Sequence, residues 1–103
     1  MDFEQLAKYT LYIGLNDKDS KKQQVNRKDA IQLISQIVGD CTMSDCKGIY
    51  THDNGDRVNE NTLKVELLFK TDAQVSGYCD LIKQLLNQES IAVTKSYEMS
   101  CLY

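Results

Sequence analysis

The stretch CTMSDCKGIYTHDNGDRVNENTLKVELLFK, residues 41–70, decides the fold. It holds two extended runs on either side of Asn54-Gly55, a dipeptide suited to a type I′ turn because both central residues of that turn take positive φ. The first run, residues 41–52, is rich in Thr, Ile and Tyr, although its alternation is imperfect. The second, Thr62 to Lys70, alternates cleanly, with Leu63, Val65, Leu67 and Phe69 on one side and Lys64, Glu66 and Leu68 on the other. A β-hairpin therefore stands in the middle of the chain. On its N-terminal side, Asn26 offers a helix cap with Asp29 in the first turn; Ala30, Ile31, Ile34, Ile37 and Val38 form one helical stripe, and Gly39 is placed to end it. On its C-terminal side, Thr71 or Asp72 caps a second helix reaching about Asn87, with Val75, Tyr78, Cys79, Ile82, Leu85 and Leu86 as its stripe. Beyond each helix lies one more strand. KYTLYIGL, residues 8–15, sets Tyr9, Leu11, Ile13 and Leu15 against Thr10, Tyr12 and Gly14, and Ile91 to about Tyr97 turns Ile91, Val93 and Tyr97 inward.

The order β-α-β-β-α-β predicts an α+β ferredoxin-like sandwich, with both helices on one face of a four-stranded antiparallel sheet. Right-handed crossovers put the first and third strands in the centre, giving the strand order 4-1-3-2. The other face is open. Parity places Tyr12 and Gly14 there from the first strand, Cys46, Gly48 and Tyr50 from the second, and Lys64, Glu66 and Leu68 from the third. With 103 residues and neither proline nor internal repeats, residues 1–103 are expected to form a single domain. A domain of this size leaves little room for an enclosed cavity, so a site is expected on the open face or between subunits.

Fifteen acidic against twelve basic residues give a net charge of −3, which argues against nucleic acid or an anionic membrane as partner. Single-stranded RNA would need aromatic residues on both central strands; Tyr12 serves on the first, but the third offers Lys64 and Glu66. No apolar run approaches the length of a membrane span, and MDFEQLAKY lacks the basic start of a signal peptide, so the expected location is the cytoplasm. Cys41, Cys46, Cys79 and Cys101 show no Cys-x-x-Cys spacing and are accompanied by a single histidine; reduced thiols are expected, with no metal and no cofactor.

Two places carry candidate chemistry. Between Asn16 and Asp29, five basic residues face three acidic ones, and Lys21 and Lys22 precede a helix start where backbone amides favour anions; phosphate-loop glycine patterns are absent, and a solvated loop is the simpler expectation. The second place is the open face, where Tyr12, Tyr50 and His52 are the candidate ligand-binding residues, since core packing does not explain them there. His52 beside Asp53 and Asp56 has the composition of a general base or metal ligand, but Asp53, Asn54 and Gly55 are what a tight turn wants for its own geometry. A Cys46–His52 nucleophile pair fails on distance, the two standing about 20 Å apart at strand rise.

Within TMSDCKGIYTHDNG, residues 42–55, Thr42, Lys47 and Gly48 resemble the Thr-x-x-x-x-Lys-Gly segment on the second strand of the nitrogen-regulatory PII-like proteins. From Tyr9 through Phe69, with TLYIGL, KGIYTHDNG and ENTLKVELLF, the chain more closely resembles a small bacterial family of ferredoxin-like domains, which implies the fold and no particular activity. DAQVSGYC lacks the basic phosphate-binding residues that the PII pattern places after the third strand. The expected function is a non-enzymatic binding or regulatory module that forms homo-oligomers through its open face or an edge and takes a small molecule or protein there. The alternative is a small enzyme with its substrate pocket between the sheet and a subunit interface, using Tyr12, Tyr50 or His52 as polar handles.

Overall fold

The computed structural model describes residues 1–51 and 54–103. Its elements follow the expected order: β1 (Glu4–Gly14), α1 (Arg27–Val38), β2 (Thr42–Thr51), β3 (Arg57–Leu67), α2 (Asp72–Leu85) and β4 (Ala92–Ser100). All pairings are antiparallel and the sheet order is β2-β3-β1-β4, the predicted 4-1-3-2 read from the other edge.

The alternation in β1 and β3 makes the core. Leu11, Ile13, Leu63, Val65 and Leu67 are fully buried beneath the helices. In α1, Ala30, Ile34 and Val38 stand four residues apart and close on them, while Ile31 and Ile37 pack at the margin. Asn26 caps α1 by accepting a hydrogen bond from the Asp29 amide at 2.8 Å, and Gly39 ends the helix with φ of 75°. Thr71 caps α2 through a reciprocal box with Gln74, and Val75, Ile82 and Leu86 point inward. The N-terminus of α2 is pinned to the sheet. The Tyr9 hydroxyl donates to Asp72, the Lys95 ammonium reaches the same carboxylate at 2.9 Å, and Lys95 lies over the rings of Tyr9 and Tyr97. Asp72 and Lys95 favour each other's charged form, so Asp72 is held low, first by the Tyr9 bond, and Lys95 is held high, first by Asp72.

Four sequence expectations are corrected. β3 starts at Arg57, not at Thr62, because pairing with β2 draws the polar segment Arg57–Asn61 into the ladder. It stops at Leu67; Phe69 takes φ of 60°, which ends the alternation and leaves its ring exposed instead of inward. Tyr97 and Val93 lie on the helix side of β4 but are exposed, because β1 and β4 pair out to Glu4–Ser100 and Val93 stands at the sheet edge. Leu85 belongs to the exposed surface of α2, not to its buried stripe. All four cysteines are free thiols; burial pushes those of Cys41 and Cys79 up. No helix among the described residues is long and apolar enough to cross a membrane.

Candidate functional site

The ladder registers place Tyr12 opposite Lys64, Gly14 and Cys46 opposite Thr62, Gly48 opposite Glu60, and Tyr50 opposite Val58. Since side chains alternate across a strand, all of these share the helix-free face. That face has two halves of different character. Towards the start of β1, Lys8 pairs with Glu66 at 3.4 Å and Glu98 at 3.6 Å, and Lys64 meets Glu66 at 3.7 Å, which makes a lattice of ion pairs. Towards the end of β1 the face sinks into a cleft of about 650 Å³. Its floor is Tyr12, Gly14, Cys46, Gly48, Tyr50, Glu60 and Thr62; its walls are the loop carrying Asn16, Asp17, Lys18 and Lys21 and the turn Gln88–Ser90.

The walls are tied to each other. Asn16 bridges to Gln23, the Asp17 amide donates to the Lys22 carbonyl at 2.8 Å, and Lys18 donates to the Asn87 carbonyl at 2.9 Å. The Asn87 side chain, on a residue with φ of 49°, donates to the carboxylates of Asp17 and Asp19, and Gln88 donates to the Asn16 carbonyl at 2.5 Å. Asp17 also accepts the amides of Ser20 and Asp19, and these bonds, Ser20 first and Asn87 next, hold its carboxyl down to about 2. A segment read as a solvated loop is therefore knitted to the α2–β4 turn.

Glu60 is the central group of the floor. One carboxylate oxygen accepts the Asn16 amide at 2.8 Å, and the carboxylate lies across the face of Gly14. Burial raises the Tyr50 phenol, and the Glu60 charge and hydrogen bond, with Glu89 beyond, raise it further. The cleft therefore sets a carboxylate against one phenol, with a second phenol, Tyr12, on the same floor. On the wall, Lys21 has φ of 63° and donates to the Lys18 carbonyl at 2.7 Å.

Of the residues expected from sequence, Tyr12, Tyr50 and Lys21 line this cleft; Lys22 belongs to the same loop without lining it, and His52 lies outside the described residues. Sequence reading missed Glu60 and Glu89, and counted Lys18 only among the five basic residues of the loop. The available signal for Glu60 was the hairpin itself, since pairing back from Asn54-Gly55 carries β3 past residue 60 and puts it on the parity of Thr62. Among the described residues, no group of three or more His, Cys, Asp or Glu side chains is arranged to hold a metal ion.

No family model and no curated protein sequence matches the chain. Solved structures do. A phage SAM lyase in complex with S-methyl-5'-thioadenosine superposes with a TM-score of 0.72 at 18% identity, covering 95% of this chain and 87% of that one. The same lyase in its apo state gives 0.68 at 18% identity, over 94% and 86% of the two chains. A GlnK–ATP complex from B. subtilis, a PII protein, gives 0.51 at 19% identity, over 89% and 82%. At such identities the likeness shows a shared ferredoxin-like, PII-like fold.

Proposed function

We propose that this chain, as a single domain, is a small-molecule binding module, and that its ligand is an adenosyl compound carrying a sulfonium cation, with S-adenosylmethionine as the first candidate. The observation that carries the reading is the Glu60 carboxylate, held on the cleft floor beside the Tyr50 phenol. A sulfonium has no hydrogen to donate, so it is recognised by opposite charge and by aromatic faces. Glu60 supplies the charge, and Tyr12 and Tyr50 supply the faces. Lys21, with Lys18, is the anion contact for the carboxylate of the ligand. Support comes from the neighbours: the lyase holds S-methyl-5'-thioadenosine and GlnK holds ATP, both adenosine-bearing ligands in the same fold. Glu60 and Glu89 repel a triphosphate, which favours the sulfonium over ATP. The assembly in this reading is a cytoplasmic homo-oligomer.

A second reading, a small lyase, is favoured by the same carboxylate. When a sulfonium's carbon–sulfur bond breaks, the sulfur leaves as a neutral thioether with the bond electrons, and the carbon it leaves takes a new electron pair from the ligand's own carboxylate oxygen, closing a five-membered lactone; no general acid is required. Orientation and the surrounding charge are what a protein must supply.

Calorimetric titration with S-adenosylmethionine, S-methyl-5'-thioadenosine and ATP tests the reading. The first two are expected to bind, and Glu60→Gln to weaken S-adenosylmethionine by about tenfold or more, the worth of one charged contact of about 1.4 kcal/mol. Absence of S-adenosylmethionine binding overturns it, whether or not the neutral thioether binds. Chromatography of the same mixture for released S-methyl-5'-thioadenosine separates module from lyase.

A further inference from the structure

Gly14 stands in a strand, where glycine costs stability, and its φ is not positive; among the described glycines only Gly39 and Gly55 occupy that region. Backbone conformation therefore does not require glycine here. Close approach does. A Cβ at residue 14 would lie 2.3 Å from both Cδ and Oε1 of Glu60 and 2.6 Å from Oε2. Glu60 is not the direct ladder partner of Gly14, which pairs with Thr62, so the carboxylate reaches diagonally from β3 across the bare backbone of β1. There the Asn16 amide meets it at 2.8 Å. On the other flank, Gly48 stands directly opposite Glu60, and a Cβ there would press on the Thr62 hydroxyl at 2.9 Å, 3.9 Å from the Glu60 Cβ. Only the Gly14 side touches the carboxylate.

We infer that Gly14 is a positioning residue: its missing side chain is the seat on which the Glu60 carboxylate lies, and any side chain at residue 14 turns that carboxylate out of its place beside Tyr50. The inference deepens the proposed binding function, on which only its ligand arm rests. The atoms displaced are the far end of a flexible side chain, so Gly14→Ala retains the fold while the carboxylate swings away from the Asn16 amide.

The experiment compares Gly14→Ala, Glu60→Gln and the Gly14→Ala/Glu60→Gln double variant with the parent. The Tyr50 phenol is titrated spectrophotometrically, isolated by difference from Tyr50→Phe. Glu60 helps to raise that phenol, so Glu60→Gln is expected to lower its midpoint, Gly14→Ala to lower it to the same extent, and the double variant to add nothing. A Tyr50 midpoint unmoved by either single variant, or moved by Glu60→Gln alone, overturns the inference. If Gly14→Ala fails to fold, folding restored by adding Glu60→Ala supports the seat, and folding not restored overturns it. In the ligand arm, S-adenosylmethionine affinity falls about tenfold in both single variants. If the parent binds no adenosyl ligand while the Tyr50 coupling holds, the function proposal fails and the positioning role of Gly14 stands.

Discussion

Asp17 shows how a half-buried carboxylate can organise a wall of the cleft. Its oxygens accept the amides of Asp19 and Ser20 and the side-chain amide of Asn87, so protonation removes acceptors from two chain segments at once. The folded carboxyl titrates at about 2 against an ordinary 3.8. A depressed folded pKa means that the stabilisation is complete above the ordinary value and is lost as pH falls through about 3.8 towards 2. The contribution is screened by solvent, and its effect is local. Amide exchange at Asp19 and Ser20 is expected to accelerate over that acid window in the parent protein, whereas Asp17→Asn shows faster exchange already at neutral pH and little further change. Equal exchange in the two proteins at pH 7 would remove Asp17 as the organiser of this loop. Glu60 makes the complementary point, since its weight comes from what lies against it: a glycine, an amide and a phenol from two other segments, 44 or more residues from Asn16 and Gly14 in sequence.

Among the elements, α2 is defined at its start by a motif that was readable in sequence and is complete in the structure. The Thr71 hydroxyl accepts the Gln74 amide at 3.1 Å, and the Gln74 side chain accepts the Thr71 amide at 2.9 Å. Thr71→Ala removes the hydroxyl that accepts the Gln74 amide, while the backbone amide at residue 71 still meets the Gln74 side chain, and is expected to cost about 1 kcal/mol in urea unfolding, with Thr71→Ser close to the parent. Indistinguishable Ala and Ser variants would show that the Tyr9–Asp72–Lys95 cluster alone fixes the helix start. Where hydrophobic period and cap chemistry agree, as in α1, in α2 apart from Leu85, and in the buried parts of β1 and β3, sequence reading and structure coincide. They part where pairing overrides composition. Asn59, Glu60 and Asn61 are poor strand formers, yet β2 pairs with them, so the strand start and the cleft's carboxylate both lie in the polar stretch that sequence reading leaves between the turn and Thr62. Tyr12 and Tyr50 were legible because parity alone puts them on the open face; the walls were not, because Asn87 and Asp17 meet across 70 residues of sequence.

Across the whole molecule, the distribution of apolar surface bears on self-association more than the open face does. One half of that face is a lattice of Lys8, Lys64, Glu66 and Glu98, and the other is the cleft. Of the exposed apolar side chains, Tyr12 and Tyr50 belong to the cleft and Ile49 to the other edge strand, β2, whereas Val93, Tyr97 and Met99 cluster on β4 and Leu81 and Leu85 on α2. β4 is also an edge strand, nine residues long, without proline, and an uncovered edge presents unpaired amides and carbonyls to a second copy. Homo-oligomers are therefore expected to form along the β4 edge, leaving the ion-pair half of the open face as surface. Val93→Lys places a charge on that edge at a residue already 44% exposed, so the fold is expected to survive. Light scattering should report a smaller mass for Val93→Lys than for the parent at the same concentration, while Lys64→Gln on the open face leaves the mass unchanged. A parent protein that is monomeric at high concentration would defeat the expectation outright, and a mass lowered by Lys64→Gln but not by Val93→Lys would move the interface back to the open face.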